Sequence, residues 1–475
     1  MIDLKPYPEY KDSGVPWLEK LPKDWEILRA KHVFRPIDVR SQKGLEELLS
    51  VSEKKGVTPR RLVNVTMFKA ESYEGYKLCW SGDLVINSLW AWMQGLGFSN
   101  YHGIISSAYG VYRIKEGIGL EYKFFNYLIR SRAYLWELRV NSKGIWRSRY
   151  QLTDESFLGI PIIIPPETER IQIARFLDFK TDQISRFIKA KKRLIELLKE
   201  QKQVIINDAV TGKIDIATGK PYSEYKDSDV EWLGIVPKGW QVLRVKHLAR
   251  VISKGTTPST EGREILEHGV IRFFKAENIV EGTLTDKPLC FIDDATNSIL
   301  KRSQLHENDV LFVIAGATIG KVAVVREPNL PANTNQAVAF IRPNKKVSPD
   351  YLAEWLQSPC IKQMIWLNAV QSAQPNLSMT DLGNLTIPLP NLEEQLSLLI
   401  GLQSITKNIE NAITRTEREI ALLHEYRDRL IADVVTGKID IRAIDIPEDI
   451  EALNPDDLDM TDEEISDFDT MEIIK

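Results

Sequence analysis

The chain has 475 residues, 43% of them hydrophobic and 27% charged, which is enough for two or three separately cored domains. Its three cysteines, Cys79, Cys290 and Cys360, include no Cys-x-x-Cys pair, so neither a disulfide framework nor a zinc site is expected, and a reducing cytoplasm is. No run approaches the ~18 apolar residues of a membrane span, and the opening MIDLKPYPEYKDSG has no apolar signal core. The net charge of −4 divides unevenly: residues 445–475 hold 13 Asp or Glu and one Lys, which leaves the preceding 444 residues at +8. A basic body is compatible with phosphate contacts, and the acidic tail is expected to repel itself into disorder.

In chain order, residues 5–32 (KPYPEYKDSGVPWLEKLPKDWEILRAKH) come first and return at 220–247 with an offset of 215 and 18 of 28 positions identical. Within them Trp17 matches Trp232, Trp25 matches Trp240 and His32 matches His247, a pattern that assigns these side chains to a scaffold, with core packing the expected role of the tryptophans. A strand-rich stretch, about 33–151, follows. Its Gly82–Asn87 run reads as a turn entering a buried strand. The run Ile160–Pro166 then blocks any earlier helical start, and a helix is expected from Glu167 to about Ala209, stopped at Thr211-Gly212-Lys213.

The same parts recur in the second half. Asn308–Val313 resembles Gly82–Asn87, Phe274–Glu277 echoes Phe68–Glu71, Ile387–Pro390 precedes a second helix over Leu392–Val434, and Thr436-Gly437-Lys438 ends it. The offset has grown to 225 by the helix exits, so the second copy carries ten extra residues between about 248 and 375. The expected domains are 1–151, 152–219, 220–376, 377–444 and an acidic tail at 445–475. A repeat of this length describes two copies of a domain on a scaffold, not a solenoid.

Both helices carry a stripe that alternates spacings of four and three. The first is Leu177, Thr181, Ile184, Ile188, Lys191, Ile195, Leu198, Lys202, Ile205 and Ala209; the second is Leu402, Thr406, Ile409, Ile413, Thr416, Ile420, Leu423, Arg427, Leu430 and Val434. A 3.5-residue period is a coiled-coil seam, and matched registers predict that the two segments pair with each other as rods of roughly 60 Å. The fold class expected is α/β (α+β): two similar strand-rich domains separated by two long helices in an antiparallel coiled coil with pseudo-two-fold symmetry. If that symmetry is real, residues 5–32 pack beside the end of the second helix near Asp440.

The polar and aromatic residues gather in the divergent stretches. In the first, the DNA-binding candidates are Asn87, Ser88, Trp90, Trp92, Gln94, Asn100, Tyr101, Ser107, Tyr109, Arg147 and Arg149; in the second they are Lys254, Thr256, Thr257, Thr318, Lys321, Asn335, Gln336 and Gln371. Asn and Gln pair bidentately with adenine and Arg with guanine, while Ser, Thr and Lys more often hold phosphates. For any one of them, a solvated loop side chain is the competing reading.

Catalytic motifs are missing. No glycine-rich cofactor loop or Asn/Asp-Pro-Pro-aromatic sequence appears, and Gly316–Lys321 has one residue too few between its glycines for a phosphate-binding loop and lacks Ser or Thr after the lysine. A nuclease pattern of Asp83 with Glu121-Tyr122-Lys123 reads as chance in so charged a chain. No metal or catalytic residue is therefore expected in this chain.

The duplicated YKDS-x-V-x-W-L openings at Tyr10 and Tyr225, the PLPNLEEQ helix entry at Pro388–Gln395 and the twin TGKIDI exits resemble the specificity subunits of type I restriction-modification systems over residues 1–444. The segments Gly82–Gly97 and Gly316–Val325 resemble that family's target recognition domains. The resemblance implies that each domain reads half of a split sequence in double-stranded DNA. It also implies that two modification subunits dock on the helices, for which Leu177, Ile184, Ile195, Leu198, Leu402, Ile409, Ile420 and Leu423 are the candidate positions. S-adenosylmethionine, ATP and Mg would reside in the modification and restriction subunits, with none bound here. The alternatives are a self-contained fused restriction-modification enzyme and a coiled-coil adaptor that binds no DNA.

Overall fold

A computed structural model of the chain describes residues 5–62, 72–118, 122–144, 150–280, 282–369 and 376–447. It divides into two compact units, residues 1–191 with 417–475 and residues 192–416, so each unit holds one strand-rich domain and half of each long helix. The expected Phe68–Glu71 echo and the acidic tail beyond Pro447 lie outside the described residues.

In the first unit, strands Phe34–Pro36, Gly110–Ile114, Asp83–Ile86 and Leu96–Phe98 form a four-stranded antiparallel sheet in that spatial order. The sheet's Leu84, Ile86, Phe98 and Tyr112 pack with Phe124, Phe125, Leu128 and Phe157 from flanking helices into one core. Two smaller ladders, Leu49–Ser52 with Gly56–Pro59 and Lys77–Cys79 with Gly103–Ile105, cover the other face through Val57, Cys79, Val85 and Val111. The second unit repeats the sheet with Ala249–Lys254, Val338–Pro343, Val310–Val313 and Val322–Val324 in the same order. There the smaller ladders include a three-stranded sheet of Phe291–Ile292, Ile271–Phe274 and Ala332–Thr334, which lies within the stretch that contains the extra residues.

One ion pair with a buried carboxylate and a partly exposed arginine recurs in both sheets. Asp83, 1% exposed, takes Nε and Nη2 of Arg113 at 2.6 and 2.8 Å and the backbone N–H of Trp80 at 2.9 Å. Asp309, fully buried, takes Nε and Nη2 of Arg342 at 2.8 and 2.9 Å and the N–H of His306 at 2.8 Å. A carboxylate at the turn into the central strand is tolerated without solvent because bidentate and backbone donors replace its water.

The long helices are Glu167–Val210 and Leu392–Val435, each of 44 residues. In the first unit Leu177 shares a core with Leu430 and Val434, while Lys191 Nζ pairs with Glu419 at 2.6 Å; the higher number on one helix meets the lower on the other, so they run antiparallel. In the second unit Lys202 pairs with Glu410 at 2.6 Å, and Ala209 and Val210 share a core with Leu398 and Leu402. The packing of these two helices is as the stripe predicts. Lys191 and Lys202, polar positions in an apolar seam, are held by carboxylates from the facing helix.

Both helix exits are built alike. Gly212 and Gly437 take φ of +76° and +74°, and a Cβ on them would lie 2.3 and 2.5 Å from the Cδ of Pro237 and Pro22, so the repeated opening segment closes on each cap. Trp240 and Trp25 are buried there, as expected of core residues, whereas Trp17 is half-buried and Trp232 is 41% exposed, so the core role does not extend to Trp232. In the second unit Asp215 N–H donates to Lys220 O at 2.8 Å and Tyr225 Oη to Lys213 O at 2.8 Å. In the first, Asp440 N–H donates to Lys5 O at 2.7 Å and Tyr10 Oη to Gly437 O at 3.0 Å. The expected meeting of residues 5–32 with Asp440 is observed.

Candidate nucleic-acid interface

Strand register puts most of the candidate residues at one end of each sheet. In the first unit Ile86 lies opposite both Gly110 and Leu96, so the loops 87–95 and 106–109 leave from the same edge. They are tied together: Asn87 Nδ2 donates to Tyr109 Oη at 2.9 Å, and Ser88 Oγ to Ala108 O at 3.1 Å. Burial pushes the Tyr109 hydroxyl's pKa up, which keeps it a neutral donor. Ser107 is exposed at the tip of its turn. Trp90 is 51% exposed and stacks on the half-buried Trp92 at 6.3 Å and 13°.

Gln94 has a different task. It sits in the left-handed region at φ +59°, and its Nε2 donates to the carbonyls of Arg130 at 2.8 Å and Ser131 at 3.3 Å, so its amide anchors the loop from within. Asn100 and Tyr101 follow Phe98, which pairs with Leu84, and therefore lie at the opposite end of the sheet. Asn100 Oδ1 accepts from Tyr122 Oη at 3.1 Å, and Tyr101 packs beside the smaller core. Arg147, Arg149 and Gln371 lie outside the described residues.

In the second unit Val313 lies opposite Val338 and Lys254 opposite Ala339, so the loops 255–259, 314–321 and 335–337 share one end. A Cβ on Gly255 would lie 2.1 Å from Thr334 O, and Thr256 N–H donates to that same oxygen at 3.1 Å. Thr257 Oγ1 donates to Gln336 Oε1. Lys254, Lys321 and Gln336 are exposed, whereas Thr256, Thr257, Thr318 and Asn335 are half-buried. The Asn335 Oδ1 is enclosed without a hydrogen-bond partner, an acceptor left available at the loop base. The Gly316–Lys321 segment forms a turn between the strands Val310–Val313 and Val322–Val324.

Of the candidate helix positions, Leu177, Ile184, Leu402 and Ile409 are buried and Ile195, Leu198, Ile420 and Leu423 half-buried; all eight lie along the seam stripe. The outward apolar side chains on these helices are others, notably Phe187, Leu194, Leu197, Ile400 and Leu422, each more than 40% exposed. A seam period marks only the inward residues, so the stripe could not have singled these out.

Asp83 cannot serve the nuclease pattern, because both of its oxygens are engaged by Arg113, while Lys123 Nζ is held by Asp178 at 2.7 Å. Among the described residues no group of three or more His, Cys, Asp or Glu is arranged to hold a metal, and no helix is long and apolar enough to cross a membrane.

Residues 237–419 match the family model described as a type I restriction modification DNA specificity domain. The type I restriction enzyme EcoBI specificity subunit of Escherichia coli is 26% identical over 64% of this chain and 67% of its own length. The MjaVIII specificity subunit of Methanocaldococcus jannaschii is 24% identical over 89% and 95%. In fold, a chain from work on complex assembly and conformational transition of the type I R-M system aligns with a TM-score of 0.60 at 17% identity, covering 88% of this chain and 99% of that one. The HsdS subunit from Thermoanaerobacter tengcongensis gives 0.51 at 17%, covering 87% and 96%. The resemblance read from the duplicated openings and exits is therefore shown in sequence and in fold.

Proposed function

We propose, of a chain that carries a type I restriction modification DNA specificity domain, that it is the non-catalytic DNA-reading subunit of such a complex, with one sheet-end loop cluster reading each half of a bipartite target. The observation that carries this is the sameness of the two sheets against the difference of their loops: strand order and the Asp–Arg pair are shared, while Asn87–Gln94 carries two tryptophans and two side-chain amides and Ile314–Lys321 has neither, with two glycines and a lysine instead. A duplicated scaffold that presents two unlike surfaces suits a ligand with two unlike halves. The paired helices would act as the ruler, for half-sites about one helical turn (~34 Å) apart. Their outward apolar residues are where two methyltransferase subunits would dock, bringing S-adenosylmethionine and flipping the target adenine. Restriction subunits would bring ATP and Mg. The compartment expected is the cytoplasm.

The test is to map methylated adenines in DNA from cells with and without this chain. A bipartite motif that disappears on deletion is the expected result. Methylation by the purified chain alone with S-adenosylmethionine would overturn the non-catalytic assignment.

A further inference from the structure

Leu89 and Trp90 are 50% and 51% exposed, two adjacent large apolar side chains at the tip of the loop 87–95. The loop is shaped around them. Trp90 N–H donates to Asn87 O at 2.9 Å, Gly95 and Met93 N–H donate to Trp90 O at 2.9 and 3.0 Å, and Trp92 Nε1 donates to Leu89 O at 3.0 Å. Gly95 is required, since a Cβ there would lie 2.9 Å from the Trp90 Cβ. Gln94 caps the turn in the left-handed region, and its two bonds to the Arg130 and Ser131 carbonyls fix the exit of the loop. Behind the tip, the Trp92 ring lies nearly parallel to that of Trp90 and is itself fixed edge-on by Tyr150 at 5.8 Å. Exposed Arg139 donates to Trp92 O at 3.3 Å, which places a cation for phosphate at the base of the loop.

A rigid apolar protrusion of two side chains is far smaller than a stable protein interface of roughly 800 Å² per partner, but it is the size of a wedge between base pairs. The corresponding turn of the second unit has nothing similar: Ala317 and Thr318 are small, and Ile319 is half-buried against its own core. Resting on the DNA-reading function proposed above, we infer that Leu89 and Trp90 insert into a base step of the half-site read by the first unit, so that a step is wedged open by this chain in one half of the target only. The corresponding turn of the second unit, Ile314–Lys321, makes no such insertion.

The test uses the full chain with its methyltransferase partner and a duplex carrying the mapped motif, with 2-aminopurine placed in turn at each position of both half-sites. Besides the rises at the flipped target adenines, the wild-type complex is expected to raise fluorescence at one further step, in one half-site only. The double substitution Leu89→Ala, Trp90→Ala should abolish that rise and weaken binding to the intact duplex by roughly tenfold, with most of the loss recovered on a duplex mismatched at the same step, where unstacking is already supplied. Trp136→Ala, which removes the exposed indole of the neighbouring helix, should leave the signal unchanged, and circular dichroism controls for folding. A wild-type complex that methylates the motif with rises only at the flipped target adenines overturns the wedge alone. Equal losses on intact and mismatched duplexes also overturn it, as does loss of methyltransferase assembly, which would make the tip a protein contact. Absence of any motif-selective binding by the wild-type complex removes the wedge together with the DNA-reading function.

Discussion

Asp309 is a carboxylate with no solvent, held by Arg342 and one backbone N–H. Removing one partner of such a pair leaves an uncompensated charge inside the protein. Arg342→Leu, which strands the fully buried Asp309 carboxylate, is expected to cost about 3–5 kcal/mol of unfolding free energy, measured by urea denaturation, whereas Asp309→Leu with Arg342→Leu should recover most of it. A double variant as unstable as the single one would show that the pair does more than neutralise itself. Asp440 offers a pH-dependent counterpart. Its carboxyl is held below the usual aspartate range, mainly by the hydrogen bond from Arg442 at 2.7 Å. A depressed folded pKa contributes stability that is fully present above the unfolded value of ~3.9 and is lost as pH falls through the folded value. Arg442→Gln should therefore lower stability near neutrality and flatten its fall below about pH 4, as followed by denaturation midpoints across that range. These couplings were hard to read in the chain itself. Asp309 and Arg342 are 33 residues apart, and Gln94 is matched to a carbonyl 36 residues away, so no local pattern distinguishes a base-reading amide from one that anchors a loop.

Elements were far more legible, because their signals are local and periodic. The 3.5-residue stripe, the proline-blocked starts and the glycine caps at Gly212 and Gly437 located both long helices and their pairing. What periodicity cannot supply is the outward surface, and so Phe187 and Leu422 went unmarked although they are 62% and 63% exposed. The seam itself invites a charge test. Lys191 meets Glu419 and Lys202 meets Glu410 with both partners partly exposed, so each pair alone contributes about 0.2–1 kcal/mol. Lys202→Glu should lower the second unit's unfolding midpoint slightly more than simple loss of the pair, since like charges then face each other. Adding Glu410→Lys should restore it. A double-mutant cycle with no coupling energy would show that these lysines are solvated and that the seam is specified by its apolar residues alone.

At the level of the whole molecule, the repeated segments make each half structurally self-similar, and the loops carry the differences. The duplication was plain in the sequence because scaffold contacts constrain residue identity: Trp25 and Trp240 are buried against equivalent glycine caps. The loop chemistry was visible as composition but not as arrangement. Register had to be known before Asn87 and Tyr109 could be seen as neighbours and Asn100 as remote from them.

The hydrogen bond from Asp440 to Lys5 copies the one from Asp215 to Lys220, yet only the latter pair is bridged along the chain, by the four residues Ile216–Gly219. Joining Ile446 to Lys5 through a flexible linker, which keeps buried Ile441 and the Asp440–Arg442 pair in place, would close the polypeptide into a ring, and the ring could then be cut between Asp215 and Lys220. A circularly permuted gene of this kind, beginning at Lys220, should yield a protein with an unchanged circular dichroism spectrum and an unfolding midpoint near that of the parent. The order in which the two halves follow one another along the backbone would then be immaterial to the fold, because each exit meets an opening through the same joint.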